Sequence, residues 1–199
     1  ANLDGGAGRD DLRIGPDAEN DAENIDVTSL GDADYSYLNR AQNFERVTLY
    51  SDDGDTVTVD AAELDNFDTV RFAEADPTSE DGNNGDALDI DVTNASADQT
   101  VYALDGGTLT LGAAEGVEAV TVEANFLNDG SESRETLLVD GAQGDSLTTL
   151  NLQGDGRVAY AGVDQTGDET VATIDTIDAS NLTGGLTYQS IAGVQESIT

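Results

Sequence analysis

The sequence predicts an all-β protein built as a parallel β-solenoid, or β-roll, in which short strands stack into successive coils. Three observations support this prediction: short segments alternate apolar and polar residues, Gly, Asp and Asn separate these segments, and strand-like units recur along the chain. Neighbouring units lie mostly about 20 to 30 residues apart, which fits one coil of a solenoid. A β-sandwich is the alternative, because it is built from equally short strands.

The predicted strands are short, and most of them alternate apolar residues with Thr or an acidic residue. They cover residues 45–50, 55–60, 68–73, 88–93, 107–112, 118–124, 135–140, 148–153, 157–162, 171–178 and 185–190. Only 60–67 and 111–118 have a helical appearance, and each is long enough for one or two turns at most. Longer inserts without a strand pattern are expected near 31–42, 73–86 and 125–134.

Two repeated patterns organise these strands. In the first, residues 56–72 align with 108–122 after a two-residue gap. Its recurring feature is an acidic residue placed just before a strand, at Glu45, Asp68, Glu118 and Glu196. The second pattern is a Gly-Asp pair that precedes a strand, and it begins at Gly54, Gly85, Gly144 and Gly167. Such repetition indicates stacked supersecondary units that share one continuous core.

The composition is strongly acidic. The chain has 199 residues with 42 Asp or Glu against 7 basic residues, all of them Arg, and a formal net charge of -35. Such a charge destabilises a compact state unless salt or bound cations screen it. We therefore exclude nucleic acid and anionic membrane surfaces as partners, since both are bound by Lys and Arg clusters. No apolar stretch is long enough for membrane insertion, and the lack of Cys excludes disulfides.

We divide the chain into a Gly- and Asp-rich segment, 1–24, and a β-repeat domain, 25–199. The first segment is either a calcium-binding nonapeptide or a linker. The sequence has no initiator Met and stops within a strand-like pattern, so we expect it to be part of a longer protein.

The stretch "GGAGRDDLR" (5–13) fits the nonapeptide Gly-Gly-x-Gly-x-Asp-x-apolar-x, which builds calcium β-rolls. The glycines allow the turn to direct carbonyl oxygens at an ion, Asp10 adds a carboxylate, and Leu12 enters the core. Each ion needs ligands from two successive coils, and the following nine residues do not continue the pattern. A Gly-rich acidic loop without a metal is therefore the alternative.

Further acidic turns have a related pattern, and "DGNNGDAL" (81–88) and "DGAQGDSL" (140–147) are near copies of each other. Short Asp carboxylates in Gly-rich turns are typical Ca²⁺ ligands, and a bound ion would relieve their mutual repulsion. Asp and Gly also favour turns for purely conformational reasons. The candidate metal-binding acids are Asp4, Asp10, Asp52, Asp53, Asp55, Asp81, Asp86, Asp140, Asp145, Asp164 and Asp168.

The residues that most often carry catalysis are missing. The chain has no His or Lys to act as a general base and no Cys to act as a nucleophile. A pair of carboxylates is what glycoside cleavage needs, but 42 acidic residues produce such pairs by chance. We therefore expect that the chain is not an enzyme.

The segments "LTTLNLQGDGRVAYAG", "TIDTIDASNLTGGLTY" and "GVEAVTVEA" resemble the Thr-, Ala- and Asp-rich repeats of bacterial surface-layer (S-layer) proteins and large RTX-type adhesins. The nonapeptide at 5–13 is similar to the calcium motif of those families. The resemblance implies type I secretion, folding on contact with extracellular Ca²⁺, and assembly on the bacterial cell surface. It also implies that Asp10 and the backbone of Gly6 and Gly8 are calcium ligands.

These observations together predict a secreted structural protein, stabilised by Ca²⁺, that self-assembles into an S-layer, matrix or filament. Its main partner would then be another copy of itself. The alternative is an adhesin module that binds a cell-surface glycan or a host surface. A polysaccharide-active enzyme is the least favoured hypothesis.

Overall fold

The structure is a computed structural model. It describes residues 3–15, 27–51, 56–74, 88–104, 106–126, 136–161, 174–189 and 197–199. These residues form a parallel β-solenoid of two sheets, one of eight strands and one of six, which confirms the predicted fold class.

Apart from the first two strands, which both lie in sheet 1, consecutive strands alternate between the two sheets, so that a coil contributes one strand to each of them. Sheet 1 contains β1 (Asp11–Ile14), β2 (Arg46–Ser51), β4 (Thr69–Glu74), β6 (Thr100–Ala103), β8 (Ala119–Ala124), β10 (Thr149–Gly154), β12 (Thr176–Leu182) and β14 (Ser197–Ile198). Sheet 2 contains β3 (Thr56–Asp60), β5 (Leu88–Ala95), β7 (Gly107–Ala113), β9 (Thr136–Gln143), β11 (Arg157–Ala161) and β13 (Leu186–Gln189). The helices are α1 (Asp32–Leu38) and a 3₁₀ helix (Ala61–Leu64).

Strands in successive coils pair in parallel, with equivalent residues one above the other. Thr69 pairs with Thr100, 31 residues later, and Thr100 pairs with Thr121, 21 residues later. These separations confirm that the predicted repeat corresponds to one coil. Most of the variation lies in the connections between strands, and three strand pairs also contain a register shift.

The core lies between the two sheets and is made of columns of inward-facing side chains. Val47, Val70, Val101 and Val122 occupy one position in four successive strands of sheet 1, and each is at most 1% exposed. Sheet 2 contributes a second column, with members Val57, Ile90, Leu109, Val139 and Tyr160. Because every coil buries its apolar residues against the coils above and below, few aromatic residues are needed.

Residues 11–14 belong to the same solenoid as the repeat domain. β1 pairs with β2 over its full length, and Leu12 packs into the common core, as the nonapeptide motif predicted. Part of the Gly- and Asp-rich segment 1–24 thus forms the strand at one edge of sheet 1, while residues 16–24 lie outside the described ranges.

Helix α1 covers the core at the N-terminal end, and the sequence pattern did not reveal it. Tyr35 and Leu38 are buried, and the Tyr35 hydroxyl accepts a 2.8 Å hydrogen bond from the Asp60 backbone N–H. Burial raises the pKa of Tyr35. Because α1 is only seven residues long, its stability comes from this packing and not from a long amphipathic repeat.

The remaining differences concern short elements. The predicted helix at 111–118 is wrong, since β7 continues to Ala113 and a turn follows. The predicted helix at 60–67 is present as the 3₁₀ helix. The four-residue strands β1 and β6 were not predicted, because four residues show too little alternation. Strand β12 begins at Thr176, later than the predicted 171.

Candidate metal site at the stacked corners

Acidic residues that precede strands of sheet 1 stack along the solenoid axis. The Arg46 N–H donates to the Asp10 carbonyl (3.2 Å), and the Asp68 N–H donates to the Glu45 carbonyl (2.9 Å). Asp10, Glu45 and Asp68 therefore hold the same place in three successive coils, about 4.8 Å apart along the axis. Two acids of the predicted repeat, Glu45 and Asp68, are neighbours in space as a result.

A shorter stack begins at another predicted repeat acid, Glu118. Its carbonyl accepts a 3.0 Å bond from the Thr148 N–H, whose own carbonyl accepts a 2.9 Å bond from the Asp175 N–H. The recurring acidic residue before a strand thus marks the place where a strand of sheet 1 begins in each coil. Glu196, the last acid of the predicted repeat, lies outside the described residues.

The nonapeptide loop packs against the corner of the next coil, which here means the residues just before its strand in sheet 1, 42–45. The Gly5 N–H donates to the Gln42 carbonyl (3.0 Å), and the Gln42 N–H donates to the Leu3 carbonyl (2.9 Å). A Cβ atom on Gly5 would overlap the carbonyl oxygen of Asn43, so only glycine permits this approach. The two corners whose ligands an ion would share are therefore in direct contact.

Asp10 is the central residue of this corner. Its backbone N–H donates a 2.8 Å hydrogen bond to Glu45 Oε2, which brings acidic residues of two successive coils together. Asp10 Oδ2 is shielded from solvent and has no hydrogen-bond partner among the described residues. A buried carboxylate oxygen without a donor is uncommon in folded proteins, and a bound cation would satisfy it.

Asp4 lies at the start of the same loop. Its Oδ1 accepts bonds from Asn43 Nδ2 (2.8 Å) and from the Gly6 N–H (3.0 Å), and these lower the pKa of Asp4 in that order of importance. Gly6 and Gly8 have φ angles of 88° and 143°, as the predicted glycine turn requires. The loop therefore has the conformation expected from the motif, with a charged carboxylate at its entry.

The oxygen atoms at this corner suit a hard cation, because such a cation prefers oxygen ligands. Asp10 and Glu45 are the side chains that would hold Ca²⁺, together with carbonyl oxygens of the glycine turn and water. Within the described residues, no group of three or more His, Cys, Asp or Glu side chains is placed to hold a metal ion. The side-chain contribution at this corner would thus come from one carboxylate of each coil.

The other candidate ligands lie elsewhere in the coil. Asp140 is in β9, next to a register shift in its pairing with β7, and Asp145 is in the exposed turn that follows β9. The predicted turn 140–147 therefore begins only at Gly144. The remaining candidates lie outside the described residues: Asp52, Asp53, Asp55, Asp81, Asp86, Asp164 and Asp168.

The two near-identical motifs belong to different segments of the chain between strands. The one at 81–88 falls in the connection from β4 to β5, which leads from sheet 1 to sheet 2. The one at 140–147 covers the end of β9 and the start of the connection from β9 to β10, which leads back to sheet 1. Their similarity therefore does not reflect a shared place in the repeat, and residues 81–87 lie outside the described part of the chain.

Glu45 was not predicted as the partner of Asp10. The signal was present, because aligning "DDLRI" (10–14) with "ERVTL" (45–49) places Asp10 over Glu45 and Leu12 over Val47. The residues in between, 15–44, are too many for a standard coil and hid this alignment.

A network of polar side chains on the outer face of sheet 1 fastens β1 to the solenoid. Asp11 Oδ2 forms a 3.0 Å salt bridge with Arg71 Nη1, and Asp11 Oδ1 accepts a 2.7 Å bond from the fully buried Thr48 hydroxyl. The Arg71 guanidinium also lies over the Tyr102 ring, 4.8 Å from its centroid. This network spans the strands β1, β2, β4 and β6.

On the outer face of sheet 2, Asp91 lies between Thr58 and Thr110. Burial raises its pKa above the ordinary value of 3.8. A raised pKa in the folded state means that the charged form opposes folding at neutral pH, and that this cost disappears as the pH falls below 3.8.

We therefore expect Asp91→Asn to increase the free energy of unfolding at pH 7 and to lose this advantage progressively toward pH 3. Urea unfolding of both proteins across this pH range, at constant ionic strength, measures the effect. Asp89→Asn is the matched control, since Asp89 is on the same strand and exposed. An advantage that is equal for both variants, or that does not depend on pH, would contradict the assignment to burial of Asp91.

The chain matches no protein-family model, and comparisons with curated proteins and with solved structures find no significant similarity. None of the helices in the described part of the chain is both long and apolar enough to cross a membrane.

Proposed function

We propose that this chain is a secreted structural protein of a bacterial surface, stabilised by Ca²⁺ and able to self-assemble into an S-layer, matrix or filament. The observation that carries the proposal is the buried Asp10 Oδ2, which has no hydrogen-bond partner among the described residues, in a residue whose backbone N–H bonds to Glu45 of the next coil. The proposed role is structural and needs no catalytic group.

The physical argument concerns repulsion between coils. Stacking places like charges at one register position in neighbouring coils, and two unit charges about 5 Å apart repel by on the order of 3 kcal/mol at an effective dielectric constant of about 20. A divalent cation between two corners replaces this repulsion with attraction to both. Since the ligands come together only in the folded chain, ion binding is coupled to folding.

The same coupling supports secretion and assembly outside the cell. At low intracellular calcium, the chain of charge -35 lacks the cation that favours the folded state. Millimolar calcium outside, about 100 times a dissociation constant of 10 µM, would add about 2.7 kcal/mol of stability. Calcium that bridges acidic faces of different copies would then promote assembly.

A calcium titration tests the proposal. We expect far-ultraviolet circular dichroism to show a gain of strand signal, and light scattering a gain in particle size, between chelator and about 10 mM Ca²⁺. Asp10→Asn should raise the calcium midpoint by about tenfold or more, because it removes one charged ligand. Asp89→Asn removes the same charge from an exposed site on sheet 2 and should leave the midpoint within about twofold.

Two results would refute the proposal. One is that strand signal and particle size are unchanged between chelator and calcium. The other is that Asp10→Asn and Asp89→Asn shift the midpoint equally, which would indicate general charge screening and no site at this corner. NaCl at matched ionic strength separates screening from specific binding.

One observation favours the adhesin alternative. The outward side chains of Arg71 and Tyr102 form a cation–π pair on sheet 1, and Gln153 follows on the same face. Planar polar side chains of this kind are suited to binding a sugar ring. Saturable binding of a defined polysaccharide by a calcium-loaded monomer in isothermal titration calorimetry, lost in Tyr102→Ala, would support this alternative over self-assembly.

A further inference from the structure

The outer face of sheet 1 gathers positive charge on its first strands. Four of the seven arginines of the chain lie there, and we call them the arginine face: Arg9, Arg13, Arg46 and Arg71. The last three alternate with inward-facing core residues of β1, β2 and β4, which directs them away from the core. Arg9 reaches the same face from the nonapeptide loop, since its Nη2 atom donates a 3.5 Å hydrogen bond to the Thr69 hydroxyl.

One acidic side chain balances part of this charge. Asp11 forms salt bridges with Arg71 (3.0 Å) and Arg13 (3.4 Å), and within the described part of the chain no other acidic residue pairs with an arginine. Asp10 and Glu45 belong to the corner that precedes these strands. Four guanidinium groups against one carboxylate leave a local excess of three positive charges, on a chain whose net charge is -35.

Arg46 lies at the centre of this face and lacks a counter-ion. It stands between Asp11 and Thr69 in the strand register, yet its side chain makes no salt bridge with a described residue. Its Nε atom is shielded from solvent and has no hydrogen-bond acceptor among those residues, and the same holds for Nε of Arg71. A partly buried guanidinium without an anion is costly, because it has lost water and gained no counter-charge. An anionic ligand would supply that counter-charge.

The chemistry of this face suits a carboxylate attached to a sugar. A guanidinium group presents a planar fork of donors that binds a carboxylate through two parallel hydrogen bonds. Next to the arginines, β6 places the ring of Tyr102 and the hydroxyl of Thr100 on the same outer face. A uronic-acid sugar combines a carboxylate with hydroxyl groups and an apolar ring face, so each part of it finds a matching group here.

A linear polysaccharide fits this face better than a folded partner or nucleic acid. A second copy would bring its own net charge of -35, whereas a glycan strand brings only the carboxylates of the sugars in contact. The exposed large apolar residues of the described chain are outside the strands that carry this face, so it lacks the apolar centre of a protein interface. Duplex DNA carries one phosphate per about 1.7 Å and needs more basic contacts than four arginines provide.

We propose that the arginine face binds an acidic polysaccharide, with Arg46 as the principal contact for a uronate carboxylate and with Arg9 and Arg13 as further contacts at its rim. This inference rests on the glycan-binding alternative and gives the ligand its chemical class. It does not require self-assembly, because the face lies on the side of the solenoid and a single chain carries all of it.

Isothermal titration calorimetry of the calcium-loaded chain in about 50 mM NaCl tests the inference. The acidic probes are a hyaluronan octasaccharide, with uronate on alternate sugars, and trigalacturonate, with uronate on every sugar. Maltooctaose is the neutral probe. We expect saturable binding of at least one acidic probe, weakened several-fold at about 300 mM NaCl because salt screens the arginine charges. Maltooctaose should bind at least about tenfold more weakly, since it has no carboxylate.

Arg46→Gln should lower the affinity for the acidic probe at least about tenfold, because it removes the guanidinium that has no counter-ion. Arg157→Gln is the matched control, since Arg157 is exposed on β11 of sheet 2 and its loss changes the net charge equally. It should leave the affinity within about twofold. The double variant Arg9→Gln/Arg13→Gln removes exposed side chains at the rim and should lower the affinity several-fold. Circular dichroism confirms that each variant is folded.

Three results would overturn the inference. The first is that neither acidic probe binds at concentrations up to about 1 mM. The second is that Arg46→Gln and Arg157→Gln lose affinity equally, which would indicate the general field of the chain and no site. The third is binding that survives both Arg46→Gln and Arg9→Gln/Arg13→Gln, which would indicate calcium bridging between the probe and acidic side chains.

These outcomes are separable from those of the proposed function. Arg46→Gln should keep the calcium midpoint of the unmodified chain, because the calcium corner is made of other residues. Maltooctaose binding that is lost in Tyr102→Ala but kept in Arg46→Gln would support the glycan-binding alternative and refute the acidic ligand. Loss of calcium-dependent particles in Arg46→Gln, with uronate binding unchanged, would identify a second copy as the occupant of this face and overturn the inference.

Discussion

Asp11→Ala is expected to lower the free energy of unfolding by about 3 kcal/mol, although the chain carries 42 acidic residues and its net charge is -35. The reason is the environment of this carboxylate. The Asp11 side chain is 10% exposed, and its partner Arg71 is 16% exposed. Removing Asp11 leaves a largely desolvated guanidinium without its counter-charge and the buried Thr48 hydroxyl without its acceptor.

The loss should begin at β1, which carries Asp11 and, among the described residues, pairs only with β2. Urea unfolding in saturating calcium measures the global change. Hydrogen exchange followed by mass spectrometry should show that amides of β1 lose protection before those of β8 and β10. Calcium must be held constant, because ligand binding adds to the apparent stability.

Asp89→Ala is the matched control, since it removes the same charge from an exposed position on sheet 2. We expect a change within about 0.5 kcal/mol, with a tendency toward greater stability because self-repulsion falls. If Asp11→Ala were as harmless as Asp89→Ala, the outer-face network would contribute nothing, and β1 would be held by backbone pairing and Leu12 alone.

Gly154→Ala is expected to cost about 3 to 5 kcal/mol, because two effects combine at this corner. Gly154 has a φ of 108°, which costs an alanine about 1 to 3 kcal/mol. In addition, its Cβ would overlap the carbonyl oxygen of Ala124 in the preceding coil. That oxygen accepts a 2.8 Å hydrogen bond from the Gly156 N–H, so the two corners cannot move apart without breaking this hydrogen bond.

Gly185→Ala isolates the first of these effects, the conformational strain. Gly185 has the same φ of 108°, but an added Cβ would meet no atom within 4 Å. We therefore expect Gly185→Ala to cost only the conformational strain, about 1 to 3 kcal/mol. Thermal and urea unfolding of the two variants, in the same calcium concentration, compare them. Equal losses would mean that the coils relax around the added methyl group and that close stacking at Gly154 is not needed.

Much of the fold could be predicted from the sequence, because its signals are local. Alternation of apolar residues with Thr or acid marks the strands, and recurrence of the acid before a strand marks the coil, as at Glu45 and Asp68. The nonapeptide 5–13 likewise specifies its own glycine turn and the entry of Leu12 into the core. In each case, neighbouring residues along the chain carry the whole signal.

Contacts between coils could not be read in this way. The salt bridge of Asp11 joins it to Arg71, 60 residues away, and Asp10 meets Glu45 across an irregular connection. Such pairs depend on the register of stacking, which varies with the length of each connection. Helix α1 is similar, because a seven-residue helix is stable only where the open end of the core accepts Tyr35 and Leu38. Short-range pattern thus defines the strands and turns of this protein, whereas the stacking of coils defines which charges become neighbours.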